Sequence, residues 1–251
     1  MSIAIGGQLP DGLAINGQEI KGIANNGRII YEKLEYIQNG LLLHLDSINN
    51  TGNGHSNTAT IWTDISGNGN NGTLHGGLTW NSDNLSFDGV NGSYVSTPLV
   101  LSALGNQFTI TTRVFMRSFN NYRGIGGNHA GSPGLVFGQW EDDQLIFAVH
   151  PNPSVSVPKS TINLNQYNQF TLRVNNTKVE VFINGEKRYE KTGSAFTTMA
   201  SNLMMLVGCA LISTGRYLLG QMNNFMVYNR ALTDSEIKNN FDTDENRFSI
   251  A

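Results

Sequence analysis

Residues 170–185 read Phe170-Thr171-Leu172-Arg173-Val174-Asn175-Asn176-Thr177-Lys178-Val179-Glu180-Val181-Phe182-Ile183-Asn184-Gly185. Two runs rich in β-branched and aromatic residues meet across the polar segment Asn175-Asn176-Thr177-Lys178. Asn184-Gly185 then turns the chain into Lys187-Arg188-Tyr189. An Asn-Gly pair suits a two-residue hairpin turn, because both central positions take positive φ. The alternation of Thr171 and Arg173 with apolar neighbours, and of Glu180 with valines, predicts antiparallel strands with one buried and one wet face.

The same signal recurs outward from this hairpin. Leu41-Leu42-Leu43-His44-Leu45 is a buried-strand candidate in which His44 reads as a core histidine. Phe108 to Phe115 predicts another strand. Leu135-Val136-Phe137 and Leu145-Ile146-Phe147-Ala148-Val149 flank an acidic turn, Glu141-Asp142-Asp143. Many short strands with turn residues between them predict an all-β sandwich or jelly roll. One helix is predicted near the end: Thr233 and Glu236 form a capping box, and Ala231, Leu232, Ile237 and Phe241 give it an apolar edge. Trp62, Trp80, Met199, Met204, Met205 and the lone Cys209 read as core residues.

The leader has its own pattern. Ala14-Ile15-Asn16-Gly17-Gln18-Glu19-Ile20 is echoed ten residues later by Ala24-Asn25-Asn26-Gly27-Arg28-Ile29-Ile30, which predicts two or three short strands. Such a ribbon buries no core alone, so it is expected to dock, to pair with another copy or to plug into a larger assembly. The expected division is an attachment or oligomerisation segment at 1–36 and a single domain at 37–251.

Composition narrows the function. Charged residues make up 14% of the 251, well below the roughly 25% of an average globular protein. The net charge of −3, with Lys187-Arg188 the longest basic stretch, excludes an electrostatic footprint for nucleic acid or an anionic membrane. One cysteine makes no disulfide framework, and no span of about 18 apolar residues occurs. With no export segment visible, the expected route is synthesis in the cytoplasm and appearance in a virion or outside the cell after lysis.

Three stretches combine aromatic faces for sugar stacking with amides, carboxylates or imidazoles for hydroxyl groups. Tyr122 to Pro133 carries Arg123, Asn128 and His129; Gln139 to Asp143 carries Trp140, Asp142 and Asp143; His150-Pro151-Asn152-Pro153 is a stiff loop led by His150. Asp64, Ser66, Asn68 and Asn70 place oxygens at alternating positions, as at the start of a calcium loop. That loop lacks a bidentate Glu at its twelfth position, and the competing reading is that Asp64 and Ser66 hold tight turns through backbone amides. Histidines and the cysteine show no zinc spacing, and no Gly-x-Ser-x-Gly elbow occurs.

Several segments resemble, in order, the laminin-G-like/concanavalin A-like jelly-roll family. They are Gly40 to Asp46, Trp62 to Thr73 with its Asp-x-Ser-Gly-Asn-Gly core, Leu85-Ser86-Phe87-Asp88-Gly89, Ser93-Tyr94-Val95, Phe108 to Ile110, Val179 to Gly185, and Gly220 to Ile237. Met222-Asn223-Asn224 and Tyr167-Asn168-Gln169-Phe170 stand where the family often has Ile-Asp-Glu and Trp-His. The resemblance implies a concanavalin A-like jelly-roll β-sandwich with a small N-terminal ribbon and one short C-terminal helix. Glucanases of this fold carry alternating carboxylates on one strand; no such run occurs here, so the chain is expected not to be an enzyme and to require no cofactor beyond possible Ca²⁺. The leader and the tail Asn246 to Ile250 resemble tail-associated proteins of phages and prophages. The implied role is a non-catalytic receptor-binding protein that engages cell-surface polysaccharide, contacts other virion proteins and forms a homo-oligomer. The rival role is a virion decoration or adaptor protein with no glycan ligand, and a polysaccharide-cleaving enzyme ranks third.

Overall fold

The hairpin at residues 167–192 forms as its sequence requires. β16 (Tyr167–Asn175) pairs antiparallel with β17 (Lys178–Ile183), which pairs with β18 (Glu186–Thr192) across Asn184 and Gly185, both at positive φ (53° and 76°). The structure, a computed structural model, describes residues 35–248 apart from 91, 119–122, 131–132, 142, 150–153, 195–198, 200–201 and 213–215. Of Trp140, Glu141 and the leader strands it describes the backbone alone. The chain divides into two units, Met1–Tyr36 and Ile37–Ala251. In the first, β1 (Leu13–Ile15) pairs with β2 (Gln18–Ile20), and β3 (Gly22–Asn25) pairs with β4 (Arg28–Glu32).

The second unit is a sandwich of two antiparallel sheets. The first contains, in spatial order, β18, β17, β16, β11 (Gln107–Met116), β20 (Leu219–Tyr228), β9 (Leu85–Asp88) and β8 (Thr79–Trp80), with β5 (Leu41–Asp46) also on β20. The second runs β15 (Ser154–Pro158), β14 (Gln144–Val149), β13 (Leu135–Glu141), β12 (Gly124–Asn128), β19 (Met204–Val207), β10 (Tyr94–Val100), β7 (Gly72–His75) and β6 (Ile61–Trp62). They are called below the β11 sheet and the β12 sheet. Period-2 alternation sends one set of side chains from each sheet into a shared core. Phe137 and Phe225 meet edge-on at 5.8 Å, and Phe147 lies 6.0 Å from Phe170. Trp62 and Trp80 pack edge to face at 5.2 Å, with the Trp80 indole donating to the Ala59 carbonyl, so both tryptophans are core residues.

Two expectations are corrected. The outward side of the β11 sheet is not wet: Thr109, Thr111, Thr171, Glu180 and Phe182 are all buried. The cause is α1 (Asp234–Phe248) and its lead-in, which lie on that side. Asp244, fully buried, accepts from Gln169 Nε2 (2.7 Å) and Asn224 Nδ2, Arg113 bonds Asn223 and Glu245, and Arg173 bonds Glu180, Asp234 and the Leu232 carbonyl. Asn223 and Asn224 are therefore scaffold, not a reactive pair. Met204 is not core either. Met205 and Val207 point inward on β19, which leaves Met204 facing outward and 45% exposed. The capping box forms as expected: Glu236 N donates to Thr233 Oγ1 (3.2 Å), and Thr233 N donates to a Glu236 carboxylate oxygen (2.8 Å).

Candidate functional site

With one sandwich face covered by α1, the outward side of the β12 sheet reaches solvent along β6, β7 and β10 and at Met204 of β19, while Leu206, Val136, Gln139 and Ala148 nearer its centre are buried. Alternation fixes what stands there. On β10, Val95, Thr97 and Leu99 are buried, so Tyr94, Ser96, Pro98 and Val100 face out. On the flanking strands the outward residues are Ile61, Thr73, His75, Met204 and Leu206, by register with β10. No Asp, Glu, Lys or Arg lies among these positions. The β11 sheet, by contrast, turns Arg113, Arg173, Glu180 and Asp46 outward beneath the helix.

Three aromatic rings gather at one end of this surface. Tyr94 is the cross-strand partner of His75, and their rings stack at 4.5 Å with 15° between planes. Tyr217 follows at 6.2 Å. The His75 Nε2 atom bonds Ser96 Oγ at 2.8 Å, and the Tyr217 hydroxyl donates to the Ile212 carbonyl at 2.9 Å. Tyr94, His75 and Ser96 are half-buried, so this end offers imidazole, phenol and alcohol groups to solvent beside ring edges.

Tyr217 belongs to a loop that folds over β12. A bridge between Cys209 and Tyr217 closes its base, and Leu218 N donates to the Gly208 carbonyl. The loop can lie so close because Gly124 has no side chain: a Cβ there would stand 2.6 Å from the Ala210 amide nitrogen. Arg123 reaches the carbonyls of Gly89 and Tyr217, His129 N donates to the Ala210 carbonyl (3.0 Å), and Arg216 donates to Gln139 Oε1 (2.7 Å). Ile212, in the same loop, is 42% exposed. Burial pushes the Cys209 thiol up to about 11, which keeps it protonated and unreactive at neutral pH.

The predicted site residues distribute unevenly. Arg123 and His129 converge on the 209–217 loop. Asn128 closes the end of β12 next to His129, donating to the Met204 carbonyl (2.9 Å) and accepting from Ala130 N. Asp143 is exposed at the β13–β14 turn, 3.9 Å from the Lys159 ammonium. Register pairs Trp140 with Leu145, and the Trp140 side chain, Asp142 and His150 lie outside the described residues. Sequence reasoning missed His75, Ser96, Tyr217 and Arg216, and took Tyr94 only as a strand residue. The alternation around Tyr94 was visible, whereas its stack on His75 depends on the β7–β10 register.

Asp64, Ser66, Asn68 and Asn70 do come together, and they bond the backbone of β5. Asp64 accepts from the amides of His44, Ser66 and Asn70 at 2.8–3.0 Å. Asn68 and Asn70 donate their side-chain amides to the carbonyls of Leu41 and Leu42, and Ser66 donates its hydroxyl to Leu42. This donor set fits a turn that clamps the opening strand and does not fit a calcium cage, which needs six or more oxygens turned inward. Among the described residues no group of three or more His, Cys, Asp or Glu is placed to hold a metal.

Comparison with known proteins gives a consistent result. A family model described as "Concanavalin A-like lectin/glucanases superfamily" (Laminin_G_3) matches residues 87–238, more than half of the chain. No curated protein matches the sequence. Among solved structures, the chain is similar to a Trypanosoma rangeli sialidase in complex with sialic acid, at 15% identity and a TM-score of 0.62, covering 91% of this chain and 36% of the sialidase. It is similar to domain 4 of AbnA, a GH43 extracellular arabinanase of Geobacillus stearothermophilus, in complex with arabinotriose (17% identity, TM-score 0.61, 79% of this chain and 96% of that domain). A third similar structure is the receptor binding domain of botulinum neurotoxin C/D mosaic serotype (14% identity, TM-score 0.63, 82% and 52% covered). The chain spans about a third of the length of the sialidases, and at these identities the likeness is one of fold.

Proposed function

The chain belongs to the concanavalin A-like lectin/glucanases superfamily, and on that premise we propose that it is a non-catalytic carbohydrate-binding protein. The observation that carries this reading is the outward side of β6, β7, β10 and β19. It joins stacked aromatics, hydroxyls and exposed aliphatic side chains with no ionisable carboxylate. Sugars are bound through apolar ring faces and a few oriented hydrogen bonds, and this surface offers both. Glycoside hydrolysis by two carboxyl groups needs a pair about 5–10 Å apart across the scissile bond. Among the described outward residues of these strands there is no carboxyl group at all, which supports binding without cleavage. An arabinanase domain of the same fold, whose structure holds arabinotriose, adds support.

The finer reading is an adhesin of a phage or prophage tail. In it the leader hairpins attach or oligomerise the protein, and several jelly rolls engage one cell-wall polysaccharide. Weak single sites then gain by multivalency. The test is retention of purified protein on whole Gram-positive cells, with competition by extracted wall polysaccharide. Tyr94→Ala is expected to weaken retention at least tenfold while leaving the thermal unfolding midpoint within a few degrees. Retention unaffected by this substitution would overturn the site, and absence of retention would move the protein to a structural role in the virion.

A further inference from the structure

We infer that the polysaccharide taken by this surface is uncharged, a conclusion that rests on the carbohydrate reading above. Along β6, β7, β10 and β19 the outward positions are filled by Ile61, Thr73, His75, Tyr94, Ser96, Met204 and neighbours that carry no carboxylate, ammonium or guanidinium. An anionic polymer, whether a phosphodiester chain or a sialylated or uronic glycan, is bound through cations that neutralise it, with arginine pairing phosphate and carboxylate through two parallel hydrogen bonds.

Two arginines border the surface, and both are engaged by groups of the protein itself. Arg123 Nη1 donates to the Gly89 and Tyr217 carbonyls, and Arg216 Nη1 donates to the Gln139 side chain. They pin the 209–217 loop to the sheet. Divalent bridging of an anionic ligand needs protein carboxylates, and the four strands present none outward. The exposed apolar groups complete the argument. Ile61 (39% exposed), Met204 (45%) and Ile212 (42%) are suited to the C–H faces of neutral sugar rings, and desolvating an anionic group beside them with no cation to pair it costs free energy.

The test uses the full chain against a panel of immobilised polymers. The neutral members are arabinan, dextran and a rhamnose–glucose polysaccharide; the anionic members are glycerol-phosphate teichoic acid, polysialic acid and heparin. Each is assayed at low and high NaCl. The expected result is binding to at least one neutral polymer, with a Kd that changes less than about twofold as the Debye length shrinks from about 14 Å to about 4 Å. Tyr94→Ala should raise that Kd at least tenfold. Binding confined to anionic polymers, or a steep loss with salt, overturns the neutral-ligand inference and leaves the carbohydrate reading standing. Binding to no member of the panel overturns the carbohydrate reading itself.

Discussion

His44 stands outward on β5, beneath α1, with its ring 4.0 Å from the Asp46 carboxylate, which also accepts from the Arg247 guanidinium. Burial outweighs the attraction of Asp46 and Asp64 and, with Arg247 adding repulsion, lowers its pKa to about 4. A histidine held neutral in the fold is protonated more readily in the unfolded chain. Its contribution is therefore present above the ordinary value of about 6.5 and is lost as pH falls to 4, in all about 3 kcal/mol. Denaturation in urea at pH 7, 5.5 and 4.5 is expected to show this loss, and His44→Leu should flatten it; an unchanged slope would place the acid sensitivity elsewhere. Gly208 is another residue fixed by its surroundings. It sits at φ +74°, and a Cβ would come within 2.1 Å of the ring of Phe87, a buried core side chain. Gly208→Ala is expected to destabilise by more than about 2 kcal/mol, measured by the same denaturation. Neither consequence is readable from local sequence. His44 is recognisable there as a core histidine beside Asp46, but the other charges that act on it come from residue 64 and residue 247.

At the scale of elements, the strands of the β11 sheet and the start of α1 were legible because their signals are local. Asn184-Gly185 demands a hairpin, and Thr233 with Glu236 demands a helix start. The capping box is expected to contribute about 1 kcal/mol, so Thr233→Ala should lower the unfolding free energy by that amount, and a smaller effect would mean the lead-in alone fixes the helix. What the helix covers was not legible. Thr, Arg and Glu at alternate positions ordinarily mark a wet face, and only the approach of Asp244 and Glu245 turns that face into a buried network. For the same reason the site was half legible. Arg123 and His129 declared themselves through a glycine-rich run, whereas Tyr94 meets His75 by register between strands some twenty residues apart. The loop at 209–217 gave no signal beyond Gly208 and the apolar run before it.

For the molecule as a whole, the arrangement divides labour between two sheets. The β11 sheet carries the charged network and the helix, while β6, β7, β10 and β19 of the β12 sheet turn no carboxylate, ammonium or guanidinium outward. The leader forms a separate unit of paired hairpins, and under the adhesin reading it multiplies sites rather than building one. Removing residues 1–36 is therefore expected to leave affinity for a soluble oligosaccharide unchanged and to lower retention on whole cells on the order of a hundredfold. Loss of both would show that the leader supports the jelly roll itself. The central claim, that the outward side of the β12 sheet takes the sugar, is tested most directly by amide hydrogen exchange of the full chain with and without a bound neutral wall polysaccharide. The account predicts new protection in β7, β10 and the 209–217 loop, with α1 and β16 to β18 unaltered. Protection over the helix-covered sheet, or over the Asp64 turn alone, would contradict it.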